Sequence, residues 1–174
     1  MLFRSKHNLH IIEDCAHAIE TLYDGKHAGT FGDFGAFSFY VTKNLSTGEG
    51  GMISTSNPEW AARVKTLALH GLSADAWMRF SDQGFKHYEV TSPGFKYNMM
   101  DLQAALAIHQ LKRIEQNLER RQAIWKRYDE AFADLPVILP APEEPGTRHA
   151  RHLYTPLLDI DRLRCNREIG RAHV

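Results

Sequence analysis

The chain is short of cysteine, of charge imbalance and of long apolar runs, and each shortage excludes a class of protein. Two cysteines, Cys15 and Cys165, stand far apart among 174 residues with no C-x-x-C pair. That leaves no basis for a disulfide framework or a thiolate metal site, and both read as reduced thiols. Lys+Arg and Asp+Glu each total 21, for a formal net charge of zero. No block of one sign points to nucleic acid or to an anionic membrane surface, so a small-molecule substrate is the expected partner. No apolar stretch approaches the roughly 20 residues that cross a bilayer, and the N-terminus has no signal-peptide core, so no membrane contact and a cytoplasmic location are expected. Internal repeats and low-complexity tracts are also missing.

What the sequence does contain is 43% hydrophobic and 24% charged residues, enough for one sizeable core. The two ends stand apart from the rest. Met1 to Ser5 (MLFRS) is the translation, from a GTG start, of a word that resembles a sequencing-library adapter, and Glu168 to Val174 (EIGRAHV) fits its reverse complement. Residues 1–5 and 169–174 are therefore expected to be non-native flanks of a fragment, a hypothesis that native genomic DNA at both junctions would overturn.

Between those ends, Asn8 to Cys15 is a short β-branched run stopping at acidic residues, as a buried parallel strand does when it delivers a functional group at its C-terminal edge. A stretch punctuated by Gly25, Gly29, Gly32 and Gly35 follows. Ala36 to Tyr40 reads as a second strand and Gly50 to Thr55 as a third, with Lys43 in the loop between them. Asn57-Pro58 predicts a helix start, continued by Trp60, Val64, Leu67 and Ala68 and ended before Gly71. Residues 71 to 98 carry many aromatics without periodicity and read as a long excursion. Leu102, Ala105, Ile108, Leu111, Ile114, Leu118, Ile124, Tyr128 and Phe132 predict one long or kinked helix from Met100 to about Leu135, with Glu115, Arg120, Arg121, Lys126 and Arg127 on its solvated face. Pro136 to Pro145 reads as a connector, and His152 to Ile160 as a strand opening a smaller domain.

Strands, turns and a lysine-bearing loop close together predict an α/β fold with its site at strand ends. Lys43 is flanked by Ser38, Thr42, Asn44, Ser46 and Thr47 and then by Gly48-Glu49-Gly50-Gly51. A loop rich in hydroxyls and glycine approaches a phosphorylated ligand closely. It is not a Walker loop, because G-x-x-x-x-G-K-[ST] is absent. A lysine in such a place suits imine chemistry, provided that a neutral amine is available, although a lone lysine in a turn is more often a plain surface residue.

Lys43 does not stand alone. Ile12-Glu13-Asp14-Cys15-Ala16-His17-Ala18, then Ser38-Phe39-Tyr40-Val41-Thr42-Lys43-Asn44, then Gly48-Glu49-Gly50-Gly51 and finally Gly94-Phe95-Lys96-Tyr97-Asn98-Met99-Met100-Asp101-Leu102-Gln103-Ala104-Ala105 follow one another in order. Together they resemble the DegT/DnrJ/EryC1/StrS family of sugar aminotransferases, over nearly all of residues 8 to 165. The resemblance implies the pyridoxal-phosphate (PLP) dependent transferase fold of type I, the aspartate-aminotransferase-like α/β fold. Residues 6–98 would form part of a PLP-binding large domain with a mixed, mostly parallel sheet, 99–135 a long interdomain helix, and 136–168 the start of a small α+β C-terminal domain.

The resemblance also implies roles. Lys43 would form the Schiff base with the cofactor and move the proton between substrate carbon and cofactor. Asp14 would keep the pyridine nitrogen protonated, so that the ring accepts electrons. His17 falls near the ring's phenolic oxygen and Ser38 at the phosphate. Lys96 and Asn98 stand where many members have Asn and Arg, a variant familiar in branches resembling the 4-amino-4-deoxy-arabinose aminotransferases; that block reaches the cofactor phosphate of a neighbouring subunit, so a homodimer with shared sites is implied. His70, Trp77 and Arg79 are candidates for a sugar-nucleotide pocket. Plainer readings stay open for each: Asp14 caps a turn, His17 packs in the interior, Ser38 satisfies backbone, Lys96 is solvated, and the aromatic excursion only packs.

The implied activity is amino transfer, from glutamate, to the keto group of a nucleotide-linked sugar. Sugar dehydration is the neighbouring alternative, but those enzymes resemble this one with His in place of the lysine. A non-catalytic regulatory or binding protein on the same fold is the reading from another class, and retained Asp14, His17, Ser38 and Lys43 count against it. A metal hydrolase built on His7/His10 or His149/His152 lacks a third ligand at recognised spacing.

Overall fold

The structure is a computed structural model of the chain, and it describes residues 2–73 and 87–163. In chain order the elements are α1 (Leu2–Lys6), β1 (Ile12–Asp14), β2 (Leu22–Tyr23), β3 (Lys26–His27), β4 (Phe34–Ser38), β5 (Gly51–Ser54), α2 (Pro58–Ala68), α3 (Asp101–Leu111), α4 (Ile114–Phe132), β6 (Val137–Ile138), β7 (Thr147–Arg148), β8 (Leu157–Leu158) and a 3-10 turn at Ile160–Arg162. Trp77, Arg79 and Cys165 lie outside the described residues.

β4 is the centre of the principal sheet, parallel to β1 with Ile12 opposite Phe34 and Asp14 opposite Ala36, and antiparallel to β5. The sheet is mixed, as expected, with one pair of each kind rather than a parallel majority. The amide of Cys15 extends the parallel ladder to the Ala36 carbonyl at 2.8 Å. The expected strand over 8–15 contracts to three residues, and it is not buried: Ile12 is 69% exposed because β1 has a single strand neighbour in the described sheet. The expected second strand starts and ends two residues early. Phe39 leaves the ladder to donate to the Gly50 carbonyl at 2.8 Å, which starts the loop that carries Lys43.

The glycine-punctuated stretch is organised by one side chain. The Glu13 carboxylate accepts from the amides of Gly29 (2.7 Å), Phe31 (2.7 Å) and Gly32 (2.6 Å). This draws the loop across β4 so closely that a Cβ on Gly35 would lie 2.4 Å from the Gly29 Cα. Before it, β2 and β3 form a hairpin over Asp24-Gly25, whose φ values of 48° and 74° suit a tight primed turn.

Asn57 caps α2 by accepting from the amides of Glu59 (2.9 Å) and Trp60 (3.2 Å), with Pro58 at the first helical position. Beyond α2, Gly71 has φ 75°, and a Cβ there would sit 1.6 Å from the Ser92 carbonyl oxygen; only glycine lets segments 71–73 and 89–94 lie this close. The long helix predicted over 100–135 is two helices, broken at Lys112-Arg113, where Arg113 has φ −107° and ψ 4°. No proline or glycine stands at the break. It falls between two anchors in different directions, Gln110 on the Ser46 backbone and Arg121 on Glu20.

Leu118 and Trp125 are the buried residues of α4, and Trp125, Tyr128 and Phe132 gather around Tyr154 with ring centroids 4.8, 5.1 and 6.0 Å away. The proline-rich connector contains β6, which pairs with β8, and the strand expected over 152–160 shortens to β8 alone. Between them β7 returns to β2, with Leu22 opposite Arg148 and Tyr23 opposite Thr147.

Candidate active site

Asp14 ends β1 and Ser38 ends β4, and because the two strands run parallel both residues arrive at the same sheet edge. Lys43 follows in the loop after β4. That loop is held by Lys43 N–H to the Tyr40 carbonyl (2.9 Å) and Thr47 N–H to the Phe39 carbonyl (2.9 Å), by burial of Phe39, Leu45 and Thr47, and by Gln110, which both donates to and accepts from the Ser46 backbone. The lysine is thus fixed on both sides.

The Lys43 amine lies 2.6 Å from Nε2 of His17, and no carboxylate pairs with it among the described residues. Asp14 uses Oδ1 to accept from the Ala16 amide at 3.1 Å, which orients the carboxyl in its own turn and leaves Oδ2 without a protein donor among the described residues. The Ser38 hydroxyl accepts a long bond of 3.4 Å from the Tyr40 amide and keeps its proton to donate. An amine without an anionic partner, an open carboxylate oxygen and a free hydroxyl donor on one edge form a fitting donor set for a ligand that carries an aldehyde, a basic ring nitrogen and a phosphate.

The sequence reading missed the residues behind this edge. Glu20 is buried, with its side chain 0% exposed; one carboxylate oxygen takes the Arg121 guanidinium and the other the Asn44 amide at 2.9 Å. Asn44 also donates to the Ala150 carbonyl at 3.1 Å, so its Oδ1 is the oxygen that meets Nδ1 of His152 at 2.7 Å. The His152 ring lies against His17, centroids 4.0 Å apart and 37° tilted. Burial pushes the His152 pKa below its ordinary value, and the charges of His17, Lys43 and Arg121 push the same way. His152 is therefore neutral at pH 7, with the proton on Nδ1.

Arg121 is a correction to the sequence reading, which placed it on the solvated face of the helix. Its spacing from Leu118 and Trp125, three and four residues, puts it on the buried stripe, where its charge meets Glu20. That spacing was the signal available. Nothing in the sequence marked His152: as half of an H-x-x-H pair it was weighed only as a metal ligand, and the structure turns His149 to Trp125 instead (centroids 5.8 Å).

Lys96 and Asn98 bond to each other through Nζ and Oδ1, both away from the Lys43 cluster's hydrogen bonds. The segment after them does touch the lysine loop, where Gln103 donates to the Glu49 carbonyl at 2.8 Å. His70 is exposed, with φ 56°, and its amide donates to Phe95 at 2.8 Å; no described contact joins it to Lys43.

Comparison with known proteins places the chain in one family. The model of the DegT/DnrJ/EryC1/StrS aminotransferase family matches residues 3–171. The spore coat polysaccharide biosynthesis protein SpsC of Bacillus subtilis strain 168 is 51% identical over 156 residues, 89% of this chain and 39% of SpsC. Among solved structures, Spr1654 of Streptococcus pneumoniae in its PMP-form superposes with a TM-score of 0.76 at 33% identity over 90% of this chain and 39% of that one, and its PLP-form does so at 0.76 and 32% over the same shares. Helicobacter pylori PseC, an aminotransferase involved in pseudoaminic acid biosynthesis, gives 0.78 at 28% over 90% and 40%. The chain thus spans about two fifths of the length of the relatives it matches.

Proposed function

The chain belongs to the DegT/DnrJ/EryC1/StrS aminotransferase family, and from that premise we propose that the full-length protein is a PLP-dependent aminotransferase that aminates the keto group of a nucleotide-linked sugar, with glutamate as donor. The observation that carries the reading is Lys43, held 2.6 Å from Nε2 of His17 at the strand edge that also delivers Asp14 and Ser38. Polysaccharide biosynthesis in SpsC and pseudoaminic acid biosynthesis in PseC support a sugar as acceptor.

When bound, PLP supplies an electrophilic aldehyde and an electron-accepting ring. Asp14, oriented by the Ala16 amide, would hold a proton on the pyridine nitrogen. Ser38 would donate to the phosphate. Lys43 would serve first as the covalent anchor and then, as a free amine, as the base that takes the proton from the substrate carbon bearing the nitrogen. Nε2 of His17 would receive the Lys43 N–H and keep the freed amine over that carbon. Exposed Lys96 and half-buried Asn98, bonded to each other away from this cluster, would face the cofactor phosphate of a second subunit in a homodimer.

Absorbance of the full-length protein with PLP, followed by borohydride reduction and peptide mapping, tests the assignment. An imine band with the label on Lys43 is expected. In Lys43→Ala the band should disappear and kcat fall by about 10³-fold or more. Label on another lysine would remove the central assignment, and turnover to a dehydrated, nitrogen-free sugar would establish the dehydratase reading instead.

A further inference from the structure

The residues named so far account for the sheet edge, but not for why a polar chain runs from it into the interior and out to the far end of the sequence. Five side chains form that chain. Arg121 on α4 pairs with buried Glu20, Glu20 accepts from Asn44, Asn44 accepts from His152, and the His152 ring rests on His17. Each link has a fixed sense. Asn44 has two acceptors on its nitrogen side, Glu20 and Ala150, so its oxygen faces His152 and calls for a proton on Nδ1 there. A carboxylate with no exposed surface would be untenable without both of its donors.

We propose that His152 is a positioning residue of this site: tethered through Nδ1 to Asn44, and so to Glu20, its ring lies against His17 and holds Nε2 of His17 on the Lys43 amine. The inference rests on the proposed role of Lys43 and extends it to a residue on the far side of α4 in sequence. The groups facing the His152 ring are His17, Lys43 and Arg121, all of which oppose a second proton on it. A neutral ring beside His17 leaves the His17 nitrogen free to receive the lysine proton, whereas a cationic ring would drive it off. His17 itself is exposed, with no hydrogen bond but the one to Lys43 among the described residues, so this ring contact is what fixes its plane.

The test uses the full-length protein in two states. Without cofactor, ¹⁵N NMR of labelled histidines should show His152 neutral with its proton on Nδ1 at pH 7, and Asn44→Leu should abolish that tautomer preference. With PLP, His152→Ala should move the pH midpoint of the imine band by about one unit and lower kcat about 10- to 100-fold, with KM for the amino donor changed less. His152→Phe, which keeps the ring and drops its nitrogens, should return the midpoint toward the wild-type value. It also serves if the alanine variant does not fold. A wild-type His152 protonated on Nε2, or a midpoint that stays put in both variants or moves equally in both, would overturn the inference. Absence of an imine band from the wild type would overturn the function proposed for Lys43, and the cofactor-free NMR readout would still decide the role of His152.

Discussion

Helices α3 and α4 both carry apolar residues at helical spacing, more sharply segregated to one face in α4, yet those residues meet different fates. In α4 the stripe is used: Leu118 is 2% and Trp125 8% exposed, and Arg121 between them closes on Glu20. In α3 it is left open: Leu102, Leu106, Ile108 and Leu111 are 53% exposed or more, and the helix is tied down mainly by two polar side chains, Gln103 and Gln110. Periodicity thus records that a helix has a partner surface, but not whether that surface lies in the same stretch of chain. α3 is attached by hydrogen bonds that hold the lysine loop in place, whereas α4 is attached by burial.

That contrast predicts an ordering of stability effects measured by urea unfolding. Glu20→Ala should cost most, about 3–5 kcal/mol, because it leaves the Arg121 guanidinium half-buried without its anion. A cost below about 1 kcal/mol would mean that the interior chain is solvated and that α4 is held by apolar contact alone. Leu118→Ala should follow at about 2–4 kcal/mol, the cost of a cavity at a fully packed leucine. Leu102→Ser, on the open stripe of α3, should change stability of this chain by less than about 0.5 kcal/mol. If it costs as much as Leu118→Ala, the two helices do not differ in the way their exposure indicates.

The same contrast explains which parts were legible in the sequence. Features set by local chemistry came through: the Asn57-Pro58 cap, β5, the strand ending at Asp14, and the placing of Lys43 in a loop after a strand. Asp14 and Ser38 were brought to one site only by the family resemblance; the parallel pairing of β1 with β4 is what carries both to one edge. What failed was long-range. The break at Lys112-Arg113 has no residue signature, since it follows from where Gln110 and Arg121 are fastened. Arg121 was misplaced because its charge outweighed its position on the stripe. His152 and Ala150 were invisible because they reach Asn44 across 108 and 106 residues of sequence.

The return of β7 to β2 has a consequence in time. Arg148 reaches the Glu20 carbonyl across 128 residues, and the residues just after it, Ala150 and His152, hold Asn44, so support of the Lys43 loop comes from a segment made long after the loop itself. During synthesis Lys43, His17 and Asn44 emerge first and wait for Ala150 and His152, and the entropy of closing so long a loop must be met before any of these contacts forms. The site is therefore a late product of folding: until the ribosome has passed residue 152, the nascent chain holds the lysine without the interior that orients it.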